Sequence, residues 1–496
     1  MLDILLEIIA PFNLLMMNVG MAAGIIIGAL PGLSVILAIT VLLPFTFGMS
    51  SLPGMFLLLG AYCGATYGGS ITAVLINTPG TPNAAATVLD GYPMAQKGRA
   101  GDALKTALVG STFGGMVSCL ALIFLAPLLA QFALKFGPAE YFSLCVFGLS
   151  VVISISGKSI YKGIVMAGLG LLLSTVGIDP IEGISRFRFG RSELLGGITT
   201  AALLLGVFAV GEILMKSYTG EKGNETRLTY QKATIKTKDI FKYWKTMIRS
   251  SILGVFIGAV PGTGGAIAAF LSYNIARSRS KNPEEFGTGC VEGVLAPETG
   301  NNAVTGATLI PLLTLGVPGD AGMAVLFGAL TMQGIIPGPS LFTDEKFWVY
   351  CIMGGLVLIN IFMLLQGNLF QKLFVNVTRV PVTVLIPCIM IFCTLGGFAV
   401  RNLFFDIIIV MVCGYVGYWL KRFDYPISPL VIALVLGSLT ETNLRRAMVI
   451  SKGSISIFFT KPLSLAFLII SVIMLCYPAI KKAIVNRKAS AARKEV

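Results

Sequence analysis

Histidine is absent from this chain, and with it go the commonest transition-metal ligand and the usual general base, which weakens any enzymatic reading. Charge is scarce too: 12% of the 496 residues are Asp, Glu, Lys or Arg, against roughly 25% in a soluble domain. With 55% hydrophobic residues and a mean hydropathy of +0.85, the chain cannot cover its surface with polar groups. Lipid must therefore be part of its solvent. The nine cysteines form no CxxC pair and mostly sit in apolar runs, which excludes a disulfide frame or thiolate metal site and predicts small buried hydrophobes. No Lys or Arg precedes Lys97, so the basic region of a signal peptide is missing. The alternating ten-residue segments of a membrane barrel are missing as well, which leaves helices.

What the chain does have is long apolar runs, including 120–134, 203–215, 348–365, 404–420 and 463–477. Several approach the ~20 residues that cross a bilayer. The net charge of +14 is concentrated in two places: residues 216–249 carry +6, and the basic tail 481–496 carries +5. Lys/Arg clusters beside apolar runs mark the cytoplasmic side, so the 216–249 loop and the C-terminus are expected there. The N-terminus, with Asp3 and Glu7 and no nearby base, is expected to face outward. Nucleic acid is not expected as a partner, since no folded soluble module accompanies the charge.

The sequence also repeats itself. Gly24 to Gly32 (GIIIGALPG) matches Gly254 to Gly262 (GVFIGAVPG), and Asn77-Thr78-Pro79-Gly80-Thr81 falls in the place of Gly316-Val317-Pro318-Gly319-Asp320. Gly177 to Pro180 parallels Arg422 to Pro426, and Leu205-Gly206 before Glu212 parallels Leu436-Gly437 before Glu441. Four collinear pairs indicate a duplication. The expected organisation is a first transmembrane repeat (1–215), a basic cytoplasmic linker (216–249), a second repeat (250–480) and a basic cytoplasmic tail (481–496). Repeats that start on opposite sides imply inverted topology. The predicted fold is an all-α polytopic membrane protein of about 12 transmembrane segments, with interrupted helices or re-entrant hairpins.

Two segments break the rules of a simple spanning helix, Gly60 to Met94 and Gly293 to Pro339. Each joins an apolar half-span to an Ala-rich one through a Pro-Gly step, which should stop the helix. Irregular backbone at membrane depth is tolerated only inside protein or along a wet cavity, and paired interruptions mark a transport site. New half-helices are expected to begin at Thr81 to Ala84 and at Asp320 to Met323, with free amides suited to carboxylates. The candidate substrate-binding residues are Gly69, Ser70, Asn77, Thr78, Pro79, Gly80, Thr81, Asn301, Asn302, Gly316, Pro318 and Gly319. Glu298, Asp320, Thr299 and Thr314 are candidates for the coupling ion or proton, because charge inside a membrane is expensive. Gly64, Gly68 and Gly69 fit either tight packing or the site. Glu212, Glu441, Asp179 and Asp424 flank loops and are expected to be structural. The stretch Gly91 to Lys105 is expected to be a solvated connection.

The runs YGGSITAVLINTPGTPNAAATVLDGYPMAQKGRAGDAL (67–104) and APETGNNAVTGATLIPLLTLGVPGDAGMAVLFGAL (296–330) resemble the signature regions of the large membrane (permease) subunit of tripartite tricarboxylate transporters. The likeness extends over nearly the whole chain. It implies a secondary transporter in a bacterial inner membrane, with a small membrane subunit and a periplasmic solute-binding protein that delivers citrate or a related carboxylate. It also implies symport with an ion such as Na⁺ or H⁺, and no cofactor. Asn77 to Thr81 and Asn301-Asn302 match the family pattern. Asp320 departs from the small hydroxyl residue more common there. A carboxylate at that point means a different substrate, proton coupling, or a helix cap. An ion or anion channel, a membrane enzyme and a purely structural subunit are the rival readings.

Overall fold

The computed structural model describes residues 2–155, 159–219, 231–262, 264–377, 380 and 382–476. The basic tail 481–496 and residues 220–230 of the linker lie outside them. The described residues are almost entirely helical. Among them, seven helices are long and apolar enough to cross a membrane: Pro11–Gly28 (α1), Ser51–Ile76 (α2), Val88–Ala133, Thr200–Tyr218, Lys346–Leu369, Phe404–Arg422 and Ile427–Ile450. Six shorter apolar helices accompany them. Large apolar side chains such as Phe124, Leu128 and Phe256 are exposed, as expected where lipid covers the surface. This is an all-α, multi-pass membrane protein.

The chain forms two compact units, each assembled from distant parts of the sequence. The first unit comprises Met1–Leu134 and Ala201–Tyr418. Its organising pair is α1 against α2. Gly20, Gly24 and Gly28 lie one turn apart on α1, and a Cβ on any of them would run into the backbone of Leu57, Ala61 or Ala65. Gly60, Gly64 and Gly68 on α2 face the α1 backbone in return. Small residues at this spacing let helix backbones touch, which is how helices gain contact where lipid removes the hydrophobic drive. Gly64 and Gly68 are therefore packing residues, whereas Gly69 faces Thr81.

The second half builds the same pair. Trp244–Ala259 (call it α8, after α3 Val88–Met94, α4 Ala100–Ala133, α5 Pro138–Ile155, α6 Ile160–Ser174 and α7 Thr200–Tyr218) packs through Gly254 and Gly258 on Val291–Ala307. With Gly264–Arg279 as α9, that partner is α10. Leu309–Leu315 (α11), Ala321–Met332 (α12), Lys346–Leu369 (α13), Val382–Arg401 (α14), Phe404–Arg422 (α15) and Ile427–Ile450 (α16) follow. Within the first unit, α7 lays Gly206 on Val410 and Gly414 of α15.

The stretch 91–105, expected to be a solvated connection, is helical: the end of α3, a π turn at Ala95–Arg99 and the start of α4. Asp102 is buried there and accepts from the amides of Thr234 (2.7 Å) and Ile235 (2.9 Å), while Lys105 Nζ donates to the Ile235 carbonyl (2.8 Å). Those partners lie within the basic linker, more than a hundred residues along the chain, so spacing alone could not have revealed the contact.

The second unit comprises Lys135–Thr200 and Trp419–Val496. Here α16 packs on α5 and α6, with Gly437 against Ser174 and Gly170 against the Leu430 carbonyl. A short hairpin pairs Gly177 with Arg186 and Ile178 with Ser185. Arg186 holds Glu441 through two bonds (2.7 and 3.0 Å), and Arg445 reaches Asp179 at 2.9 Å. The amides of Ile181 and Glu182, with both arginines close by, hold the Asp179 carboxyl below the usual carboxylate range. Five of the nine cysteines are buried, and Cys388 and Cys476 are exposed.

Candidate functional site

Both Pro-Gly segments interrupt their helices where the composition requires. At the first, α2 stops at Ile76 and Asn77 turns into a left-handed conformation (φ 59°, ψ 25°). At the second, α11 stops at Leu315 and Gly316 adopts nearly the same one (φ 69°, ψ 20°). Only Gly takes that conformation without strain, and Asn tolerates it best of the rest. Each turn also leans on the opening motif of its own half. Gly80 lies against the Gly28 carbonyl, and the Gly262 amide donates to the Gly319 carbonyl at 2.6 Å.

Beyond the turns the two breaks differ. The first folds back on α2, with the Gly80 amide bonded to the Gly69 carbonyl (3.1 Å). Thr81 to Ala84 does not start the half-helix expected there. Pro82–Ala84 forms a single 3₁₀ turn, and α3 begins only at Val88. The second break enters α12 at once. Asp320 is its N-cap, accepting from the Met323 amide at 2.8 Å.

Helix α2 carries both breaks. Gly69 meets the first, and Tyr62, two turns or about 10 Å away, donates to Asp320 at 2.8 Å. The Tyr62 hydroxyl also lies 3.4 Å from that of Thr308. Eight residues further along α2, Ser70 donates to Glu298 at 2.5 Å. Because Thr308 follows Glu298 in sequence, α2 and the α10–α11 segment run antiparallel.

Glu298 is fully buried. Its carboxylate also accepts from Thr87, and from Ser111 at 2.9 Å. All three hydroxyls come from the first half of the chain. The set is all oxygen, the chemistry a hard cation such as Na⁺ or a proton requires. Asn301 reaches the Asn83 carbonyl in the first break (3.0 Å). Asn302 donates to the Glu298 carbonyl (3.1 Å) and to the Asn301 side chain.

Gly316, Pro318 and Gly319 are buried, Thr78 and Pro79 half-buried, and Asn77 exposed. Thr81 is buried, and its hydroxyl has no hydrogen-bond partner among the described residues. Thr299 and Thr314 donate to carbonyls of their own helices, Leu295 (2.8 Å) and Ile310 (2.7 Å). Ser70, Glu298, Asn301 and Asn302 are thus drawn together with the first break, and Asp320 joins them through α2.

A family model described as the tripartite tricarboxylate transporter TctA family matches residues 14–432. The chain belongs to that family. The match takes in both breaks and the acids beside them. This TctA-family chain is similar to an uncharacterized 52.8 kDa protein in the TAR-I ttuC' 3' region of Agrobacterium vitis, with 40% identity over 95% of each chain. A second relative, an uncharacterized protein in the TAR-II ttuC' 3' region of the same organism, is 38% identical over 46% of this chain and 96% of its own. No solved structure matches.

Several residues that complete the site in this TctA-family protein escaped the sequence reading. Ser111 and Tyr62 are single polar groups in apolar helices and Thr87 immediately precedes α3, so none carries a periodic signal. Asp90 on α3 is another. It accepts from the amides of Gly287 (3.0 Å), Gly289 (2.7 Å) and Cys290 (3.0 Å) and from the Tyr273 hydroxyl (2.9 Å). That bond set ties the helix after the first break to the start of α10.

Proposed function

We propose that this chain is the permease subunit of a binding-protein-dependent secondary transporter. It imports tricarboxylates such as citrate, or related carboxylates, across a bacterial inner membrane. A small membrane subunit and a periplasmic solute-binding protein complete the system. Substrate lies at the first break, with Asn77, Thr78, Thr81, Asn301 and Asn302 as its polar ligands and the Gly316 to Gly319 turn as the opposite wall. Glu298 takes up the coupling ion, Na⁺ or H⁺.

The observation that carries this reading is the buried Glu298 carboxylate, which gathers three hydroxyls from the other half of the chain and has no basic partner among its hydrogen bonds. A buried acid without a base has to take up a proton or a cation to be stable in a membrane interior. Cation uptake at Glu298 pulls on Ser70 and Thr87, which flank the first break on either side. Loading is thereby linked to the turn that meets substrate. The antiparallel run of α2 against α10–α11 supports two inverted repeats, and on that reading the chain makes about 12 crossings in all. The N-terminus then faces the periplasm, and the 216–249 loop and the C-terminus face the cytoplasm.

The test is uptake of labelled citrate by the complete system, with Na⁺ and pH varied separately. Saturable uptake that vanishes when the ion gradient is collapsed is expected, and non-saturating flux would rule the reading out. Glu298→Gln should abolish the dependence on the coupling ion.

A further inference from the structure

Helices α8 and α9 are consecutive and pack on each other, with the start of α8 beside the end of α9. Thr246, Arg249, Ser250 and Leu253 of α8 and Ser272 and Ile275 of α9 line a narrow cleft there, about 190 Å³ counted out to its open side. Its donors are only partly used. Arg249 gives Nε to the Lys245 carbonyl (3.0 Å) and Nη2 to the Thr246 hydroxyl (3.2 Å), and among the described residues it makes no ion pair. Ser272 is 1% exposed, and its hydroxyl has no hydrogen-bond partner among the described residues. A buried hydroxyl of this kind costs stability unless something from outside the chain takes up its bond. An arginine that merely reaches toward water would account for the guanidinium but not for Ser272.

The surroundings decide what the cleft can hold. Ile248, Ile252 and Phe256 recur every fourth residue along α8 and are exposed, as are Leu271 and Ile275 on α9, so side chains that face lipid border the cleft. Trp244 is exposed at the start of α8, with Lys245 Nζ 5.8 Å from its ring, a pairing typical of the membrane–water boundary. Residues 244–253 and 272–281 contain Lys245, Arg249, Arg277, Arg279 and Lys281 and no acid. Glu292 reaches this end from α10, where it accepts from the hydroxyls of Thr246 and Ser280. The excess charge is positive. A soluble anion would meet the donors and leave the apolar border uncovered, whereas a phospholipid meets both at once.

We propose that this cleft binds one anionic phospholipid, with the Arg249 guanidinium and the Ser272 hydroxyl on its phosphate and an acyl chain along Ile252 and Ile275. Basic clefts between membrane helices suit such headgroups, and the planar fork of an arginine matches two phosphate oxygens. Thr246, itself held by Glu292, acts as a positioning residue for the guanidinium. The surrounding bases select against a zwitterionic lipid, whose own cation they repel. The site lies apart from the two breaks and does not depend on which solute is carried.

The test is lipid retention by the full chain, purified in neutral detergent and titrated with phosphatidylglycerol or with phosphatidylcholine of the same acyl chains. Native mass spectrometry and the melting temperature are the readouts. One phosphatidylglycerol per chain should be held about tenfold or more tightly than phosphatidylcholine and should raise the melting temperature. Arg249→Gln should weaken phosphatidylglycerol about fivefold or more, the weight of one base beside an anionic headgroup, and leave phosphatidylcholine unmoved. Ser272→Ala should weaken it about threefold without lowering the melting temperature of the lipid-free protein, since the hydroxyl removed has no partner to lose. Arg279→Gln, exposed at the same membrane end but outside the cleft, should change little, because salt screens it. Equal affinity for the two lipids, or a loss in Arg279→Gln as large as in Arg249→Gln, overturns the proposal in favour of diffuse charge. Glycerol 3-phosphate that protects the chain as well as phosphatidylglycerol does overturns the lipid assignment in favour of a soluble anion. Should Arg249→Gln fail to assemble, Ser272→Ala decides, and an unchanged affinity there overturns the proposal.

Discussion

At the first break the chain leaves its helix at Asn77 and does not re-enter an α-helix until Val88, and the stretch between keeps an exposed amide side chain and a hydroxyl unbonded among the described residues. At the second it leaves at Gly316 and is helical again by Ala321, with its new amino end capped by Asp320. The two left-handed turns are nearly superimposable in φ and ψ, so the difference does not lie in how the helix is broken. It lies in the residue that follows Pro-Gly. A threonine leaves the turn with polar groups to offer, and an aspartate uses them internally. Two turns of the same backbone geometry thus end as an open stretch in one place and a capped joint in the other.

The comparison is most severely tested at Glu298, which belongs to the second half but is held by the first. Glu298→Ala should reduce uptake at least about a hundredfold, the scale of losing a group that both binds and couples. It strands the hydroxyls of Ser70, Thr87 and Ser111, each roughly 1–3 kcal/mol if left unsatisfied, so the detergent melting temperature should fall sharply as well. Next comes Gly80→Ala. Its Cβ would press on the Gly28 carbonyl and on Gly69, both backbone, costing about 1–3 kcal/mol and displacing the first turn, with loss of uptake. The counterpart Gly316→Ala carries mainly the left-handed penalty of about 1–2 kcal/mol and should retain more transport. Tyr62→Phe removes the donor to Asp320 and should destabilise the second break by roughly 1 kcal/mol, visible as faster backbone exchange at α12 but not at α3. The smallest effect is expected for Asn77→Gly, within about 0.5 kcal/mol, because Gly favours the same turn. If uptake nevertheless collapses with stability unchanged, the Asn77 side chain is a substrate ligand.

How much of this could be read from the sequence depended on whether the signal was backbone or side chain. Proline and glycine act locally, so the ends of α2 and α11 were legible to the residue. The acid at 298 stood out because apolar surroundings make a charge conspicuous. Its hydroxyl partners did not stand out, since Ser111 resembles any small polar residue on a membrane helix and Thr87 any turn residue before one. The docking of Asp102 on Thr234 and Ile235, and of Asp90 on the Gly287 to Cys290 loop, depends on chain segments more than a hundred residues apart. The late start of α3 was hidden for another reason. It accompanies the fold-back of the chain onto α2, where the Gly80 amide bonds the Gly69 carbonyl, a tertiary contact that local sequence does not show.

The packing of Gly206 on Val410 and Gly414 has a bearing on how the protein is made. Helix α7 leaves the ribosome about 200 residues before its neighbours, and at ~5–20 residues per second it waits roughly 10–40 s for them. Throughout that interval a small-residue face lies open to lipid or to the wrong helix. Chains truncated between residues 220 and 400 should therefore be degraded faster than the complete protein, a difference in lifetime that pulse-chase labelling in the host membrane would measure directly.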